Sequence, residues 1–314
     1  MRKLIFISLF IFNFHMIVNA QSGIKLTDYF FNPIQFNPAY VGTTNGYYVK
    51  GTYTSQWVGF DDAPVTQTLD IQKRFSDDRY AAGISLLNDD FGAVKNFNLE
   101  SNFALHLRAS YDVGFVLGLK AGFNNFSIDY NRLNIHDPNE IVYNQGNLSN
   151  MAPIIGAGFY LYSDYWFVSM SIPNFLKYRL EDEVNRSIYT KQPHFYTSAG
   201  YDFEINNQTL LKSQILMQLV RGAPLSTLFS SRLILEDTWG IGCHYQSGAL
   251  FGVFASLKFD SEFSFNYGYD FATSGLSTYS SGNHFFTLSY KFGYDKRRVG
   301  RHRSNYSDRV YFVR

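Results

Sequence analysis

The chain has 314 residues, with 31 Phe, 24 Tyr and 24 Gly; aromatics make up 18% of it and charged residues 17%. That is far more aromatic and less charged than an ordinary globular domain, and a formal net charge of +1 excludes any global electrostatic pull toward nucleic acid. A mean hydropathy of −0.17 argues against a bundle of membrane-spanning helices, and beyond residue 20 no apolar run reaches the roughly 18 residues such a helix needs.

In chain order, the first element is an export signal. Arg2 and Lys3 give the positive start, residues 4–18 the apolar core, and Val18-Asn19-Ala20 a small-residue cleavage site. No cysteine stands at the cleavage point, so lipid anchoring is not expected. Residues 21–45 follow as a Pro-broken arm containing Asn32-Pro33 and Asn37-Pro38-Ala39-Tyr40-Val41-Gly42. Each Pro forces an extended neighbour and removes an amide donor. The reading is a periplasmic N-terminal arm, ordered but irregular, that either plugs a lumen from below or docks a periplasmic subunit.

From residue 46 onward the pattern has period two. Phe97, Leu99, Ser101, Phe103, Leu105 and Leu107 alternate with Asn98, Glu100, Asn102, Ala104, His106 and Arg108. His284, Phe286, Leu288, Tyr290 and Phe292 likewise alternate with Asn283, Phe285, Thr287, Ser289 and Lys291. Alternation over short segments gives strands with one set of side chains on each face. Burying so large an aromatic face in a soluble sheet is implausible; a membrane barrel turns it toward lipid and the polar set toward a lumen. Alternation and turn residues predict strands at 46–58, 64–75, 79–88, 97–108, 113–123, 153–162, 165–172, 194–204, 209–219, 225–236, 238–246, 249–259, 263–271 and 283–292. The expected fold is all-β, a transmembrane antiparallel up-and-down barrel of about 14 strands, an even number as bacterial barrels have.

The connections sort into two groups. After odd-numbered strands they include 89–96, 124–152, 173–193 and 272–282; after even-numbered strands they are brief: 76–78, 109–112, 163–164, 205–208, 237 and 260–262. Long loops outside and tight turns in the periplasm is the usual asymmetry, and it leaves both termini periplasmic. The domain reading is 1–20 signal peptide, 21–45 arm, 46–292 barrel and 293–314 a basic periplasmic tail. Inward positions are polar and mixed in sign: Lys50, Asp70, Arg74, Glu100, His106, Arg108, Lys120, Asp202, Lys212, Arg232, Glu236, His244, Lys258, Asp270 and Lys291. Opposite charges pairing across the lumen account for such a list without a substrate path.

Little points to catalysis. His136, Asp137, His194, His244 and His284 sit in no nucleophile elbow or zincin pair. The doublets Asp61-Asp62, Asp77-Asp78 and Asp89-Asp90 lack the spaced ligands of a calcium loop. No enzyme, metal or cofactor is expected. The sole cysteine, Cys243, cannot form an intramolecular disulfide and falls on the lipid-facing register with Trp239, Ile241 and Tyr245.

Several motifs then carry a resemblance. Asn37-Pro38-Ala39-Tyr40-Val41-Gly42, Gln56-Trp57-Val58-Gly59, Ala63-Pro64-Val65-Thr66, Gly83 with Asp89-Asp90-Phe91-Gly92, and Ala199-Gly200-Tyr201 occur in that order. Tyr267-Gly268-Tyr269-Asp270, Ser281-Gly282-Asn283-His284 and Leu288-Ser289-Tyr290 close the series. Together they resemble the PorP/SprF family of Bacteroidetes membrane proteins over nearly the whole mature chain. One departure is that members often carry His-Glu where this chain has His284-Phe285. The resemblance implies an outer-membrane component of the type IX secretion and gliding-motility system, partnered by the C-terminal domain of a secreted adhesin or cargo protein and by other subunits. It points to Asn37, Pro38, Tyr40, Gly42, Gln56, Trp57, Gly59, Pro64, Asp89, Gly92, Tyr269, Asp270 and His284 as partner-binding residues. The function expected is a non-enzymatic binding platform in the outer-membrane lipid; the alternative is a passive porin or small-solute transporter.

Overall fold

The computed structural model describes residues 25–75, 79–110, 112–132, 148–181, 187–259, 262–273 and 281–293. The predicted signal peptide and basic tail, His136, Asp137 and Asp77-Asp78 lie outside them. No helix among the described residues is long and apolar enough to cross a membrane.

The first half of the wall is β1 (Tyr47–Ser55), β2 (Val65–Arg74), β3 (Tyr80–Phe91), β4 (Val94–Arg108), β5 (Gly114–Ile128), β6 (Leu148–Tyr162) and β7 (Trp166–Ile172). A small hairpin, β8 (Tyr178–Glu181) and β9 (Ser187–Lys191), forms its own two-stranded sheet. The second half is β10 (His194–Asn206), β11 (Thr209–Val220), β12 (Ser226–Leu235), β13 (Trp239–Gln246), β14 (Leu250–Lys258), β15 (Phe263–Ala272) and β16 (Asn283–Phe292). Neighbours in sequence pair antiparallel, β7 with β10, and β1 meets β16 to close a 14-stranded barrel. Pairing β1 with β16 removes the first and last edges that an open sheet would expose to lipid.

Burial follows the alternation. On β4 Asn98, Glu100, Asn102, Ala104 and His106 are buried while Phe97 and Phe103 are exposed. On β14 Gly252 and Phe254 face inward while Phe251, Val253 and Ala255 face outward, and Cys243 is exposed on β13 beside Ile241 and Tyr245. The polar face is thus the interior. Two sequence expectations need correcting. Residues 89–96 are no long loop: Asp89, Asp90 and Phe91 pair with Asn96, Lys95 and Val94, and Gly92, at φ +58°, turns the chain in two residues. Glu236 does not line the lumen; it is exposed in the β12–β13 turn at φ +51°.

One mouth of the barrel holds the longer connections 56–64, 129–147, 173–193 and 273–282; at the other, 75–79, 109–113, 163–165, 207–208, 236–238 and 259–262 are tight. We call these the long-connection and tight-turn mouths. Between them the lumen is occupied. Residues 25–45 form 3-10 turns at Leu26–Phe30 and Pro38–Tyr40 around a four-residue helix, α1 (Pro33–Phe36), and almost every side chain from Leu26 to Gly42 is buried. The Pro residues that kept this segment out of the sheet start both of its later turns, where a missing N–H costs nothing.

Candidate functional site

The plug crosses the lumen from one mouth to the other. Lys25 pairs with Asp270 near the end of β15, and Asp28 accepts from Thr54 Oγ1 at 3.3 Å near the end of β1, both toward the long-connection mouth. At the other extreme the Gly42 N–H donates to Gln72 at 2.8 Å and the Arg74 N–H to the Gly46 carbonyl at 3.2 Å, beside the tight turns. The first described residue and the start of β1 therefore lie at opposite mouths.

Lumenal charges hold this segment rather than simply bracing the wall. Asp70 accepts from the Asn32 and Gln35 amides, the latter at 2.9 Å. Lys50 donates to the Phe31 carbonyl, and Lys120, paired with Glu100, to the Gln35 carbonyl at 3.0 Å. Ser171 Oγ reaches the Phe36 carbonyl at 2.8 Å and His106 Nε2–H the Val41 carbonyl at 2.8 Å. Each bond meets a backbone or amide group that no strand can pair, and a buried polar group left unmatched costs about 1–3 kcal/mol. Other pairs do stay within the wall, Lys212–Asp202 at 3.1 Å and Lys258–Asp237 at 2.7 Å.

Aromatic contacts fill the space between. Phe31 packs against Phe254 and Phe285 at 5.1 and 4.6 Å between ring centres, Phe36 against Tyr196 at 5.3 Å, and Tyr40 against Tyr160 at 4.6 Å. Phe285, where the family pattern has an acid, thus points into the lumen and grips the plug through its ring. Asp270, beyond pairing Lys25, accepts from His244 Nε2 at 2.7 Å, and the imidazole stacks on Phe30 and Phe254. A His–Asp pair sealed in aromatics at a plug anchor reads as a fastening.

The seat itself depends on two glycines. Gly118 on β5 and Gly158 on β6 are register partners on the inner face. A Cβ on Gly118 would overlap the Ala39 backbone, and one on Gly158 would overlap Asn37 Oδ1. Close approach lets the Asn37 amide donate to the Phe159 carbonyl at 3.1 Å while its oxygen caps Ala39 N–H at 2.9 Å. Sequence reasoning missed this pair, although two inward glycines on adjacent strands were the available signal. On the far side of the plug two adjoining recesses, of about 250 and 220 Å³, open toward the tight-turn mouth. Both are lined by Phe30, Phe31, Tyr40, Thr43 and Arg232.

The thirteen sequence-derived positions fall into three places. Asn37, Pro38, Tyr40 and Gly42 belong to the plug, with Gly42 at φ +73°. Gln56, Trp57, Gly59, Pro64, Asp89 and Gly92 gather at the long-connection mouth. There Val58 exchanges 3.0 Å backbone bonds with Gly282 and Ser281, Trp57 N–H donates to Asn283 Oδ1 at 3.0 Å, and Gly92 N–H donates to the Asp62 carbonyl at 3.1 Å. Trp57 lies edge-on to Phe91 at 5.5 Å, and Arg132 bridges Asp62 and Asp90. Trp57 and Asp62 hold left-handed φ values of 49° and 56°, a strain of about 1–3 kcal/mol each that the surrounding bonds maintain. The third place divides: Asp270 points into the lumen, whereas Tyr269 and His284 sit 4.8 Å apart on the outer face with Tyr267. No group of three or more metal-ligating side chains occurs among the described residues.

Solved structures with the same architecture include the CymD monoaromatic hydrocarbon channel, 12% identical, with a TM-score of 0.54 over 88% of this chain and 95% of that one. The toluene transporter TbuX of Ralstonia pickettii is 11% identical, with a TM-score of 0.51 over 83% and 93%. At such identities the likeness is one of fold. No curated relative matches the chain by sequence. The family model described as type IX secretion system membrane protein PorP/SprF matches residues 18–290, spanning the plug and the barrel wall as far as β16, and the chain belongs to that family.

Proposed function

We propose that this protein is a non-enzymatic binding platform of the type IX secretion system. In the outer membrane it holds the C-terminal domain of a secreted adhesin or cargo protein and neighbouring secretion subunits. The observation that carries this reading is the plug. A segment bonded to the wall from β1 to β15 obstructs a lumen that a diffusion porin keeps open. The rigid cluster of Gln56, Trp57, Gly59, Pro64, Asp89 and Gly92 supports contact at the long-connection mouth, which by the usual asymmetry of such barrels faces outward. Loops held on a rigid scaffold are where binding residues concentrate.

Planar-bilayer recording together with co-purification in mild detergent tests the reading. The native protein is expected to show no stable open state and to retain secretion subunits. Deletion of residues 32–42 is expected to add conductance while the barrel still assembles. A large, stable conductance from the native protein with no associated subunit would favour the transporter alternative, whose fold relatives are hydrocarbon channels.

A further inference from the structure

The barrel wall is notched at one place. β5 and β6 pair over all of their length, from Ile128↔Leu148 to Gly114↔Tyr162. β7 covers the other side of β6 only from Tyr162↔Phe167 to Ala157↔Ile172. One more rung is improvised beyond it: the Phe175 N–H donates to the Ile155 carbonyl at 2.8 Å, and Asn174 Oδ1 receives the Ile155 N–H at 3.3 Å. The same Asn174 oxygen takes the Leu176 N–H at 3.0 Å, and the chain leaves the edge there. Hairpin β8–β9 pairs with itself as a separate sheet.

These rungs fix which backbone groups face the notch. Because Ile155 turns its N–H and carbonyl away from β5, so do Pro153, Met151 and Ser149, two residues apart along the strand. Among the described residues none of their edge-facing groups has a backbone partner. Pro153 has no N–H, the usual device on an edge that must not pair indiscriminately. That leaves the amides of Ser149 and Met151 and the carbonyls of Ser149, Met151 and Pro153. Counted from Tyr162, the roughly 9–11 residues of a tilted span end near this segment. The unpaired groups thus meet the outer boundary of the apolar layer, where bare N–H and carbonyl groups are costly. Beside them Met151 is 64% and Ile155 51% exposed.

We infer that the upper edge of β6 is a docking site for an extended strand of a partner polypeptide, added to the wall by backbone pairing; the inference rests on the platform reading above. Alternating donors and acceptors call for a second strand, which an acyl chain does not offer. The chain's own continuation is capped by Asn174. Such a strand gains an apolar outer side against Met151 and Ile155. On its inner side a small cavity of about 60 Å³ with a mixed lining, where Ala152, Ile154 and Leu176 meet Asn98, Glu100 and Asn124, leaves room for a small polar side chain.

Backbone exchange and crosslinking read this edge directly. Amide hydrogen exchange at Ser149 and Met151 is compared between native outer-membrane vesicles and the purified barrel in nanodiscs; at least about tenfold slower exchange in the vesicles is expected. A photocrosslinking residue at Met151, but not at Ile241 on the distant wall, is expected to capture a segment of another polypeptide. Ser149→Pro with Met151→Pro, which removes both donors and leaves the β5 ladder bonds intact, is expected to abolish the protein crosslink read from position 155. Equal exchange in the two settings overturns the inference, as do crosslinks only to lipid or to 178–191 of the same chain. If secretion subunits still co-purify with the double proline variant at the native level, the edge fails while the platform stands. If the edge is protected and crosslinked by a polypeptide yet no secretion subunit co-purifies, the edge stands and the platform reading fails.

Discussion

Replacing Gly118 and Gly158 by Val is expected to unseat the plug without unfolding the barrel. Both positions turn inward, so added methyl groups meet Asn37, Pro38 and Ala39 rather than a neighbouring wall strand. At Gly118 the collision involves backbone, which no rotamer change relieves; at Gly158 it falls on the Asn37 side chain, which cannot turn away without losing its bonds to Phe159 and Ala39. Relief requires residues 37–42 to move, which exposes Val41 and breaks the Asn37–Phe159 and His106–Val41 bonds. At roughly 1.5–3 kcal/mol for the side chain and 0.5–1.5 kcal/mol for each bond, the local loss is about 2.5–6 kcal/mol. That is enough to populate an open lumen. Limited proteolysis within 32–42 and bilayer conductance report the plug, while heat-modifiable migration on gels reports the barrel. Gly51→Ala, whose Cβ has no neighbour nearer than 3.9 Å, serves as the silent control. If the double variant keeps both protease resistance and closed-state conductance while the barrel folds, the seat does not hold the plug and the reasoning is refuted.

Three further outcomes are expected. Val253→Arg or Ala255→Arg, outward at mid-strand, should each cost about 2–4 kcal/mol of barrel stability, whereas Ser256→Arg faces a recess and should be tolerated; equal assembly yields at the two registers would contradict the orientation of β14. Asp70→Ala leaves the Gln35 amide without its acceptor, at about 1–3 kcal/mol, and Asn32 with only its bond to Thr68, and should raise protease sensitivity of the plug while leaving barrel migration unchanged. Asp61→Cys, exposed at the long-connection mouth, should react with a membrane-impermeant maleimide on intact cells, and Cys243, turned to lipid, should give little background.

The wall was legible because its physics is local. A strand between lipid and lumen must alternate, so β4 and β16 disclose both faces in their own residues, and strand number and turn asymmetry follow. Where the reading went astray, the information was not local. Nothing in Asp89-Asp90 says that these residues pair with Asn96 and Lys95 instead of forming a solvated loop. The plug was legible only as something that cannot be a strand. Its destination depends on Gly118, Gly158, Asp70 and Lys120, more than 25 residues away and on three different strands. Mixed lumenal charge, taken as bracing across the wall, is partly a set of partners for a segment that brings its own unpaired carbonyls inside. The Trp57 cluster was reached by resemblance alone, since its cohesion comes from Asn283, Gly282 and Phe91, distant in sequence.

The direction of the plug bears on how the barrel is made and which side its leading end faces. Read as a chain with a cleaved leader and a first strand starting at the tight-turn mouth, the protein was expected to keep both ends in the periplasm. The plug runs the other way: from Lys25, fastened to Asp270, down to Gly46 beside Arg74, and only then into β1. β16 ends at Phe292, at the tight-turn mouth, paired with Tyr47. The two ends of the described chain therefore lie at opposite mouths. Threading some twenty residues through a closed lumen this closely packed is unfavourable, because each buried ring must pass others. Closing β1 onto β16 around a segment already in place avoids that passage. A short epitope placed directly before Lys25 is expected to be bound by antibody on intact cells, and the same epitope after Phe292 only after the outer membrane is permeabilised. A compact, fast-folding domain in the first position is expected to keep the plug out and leave a conducting barrel. Two epitopes accessible from the same side, or a fused domain that leaves the lumen closed, would show that the segment does not cross from one mouth to the other.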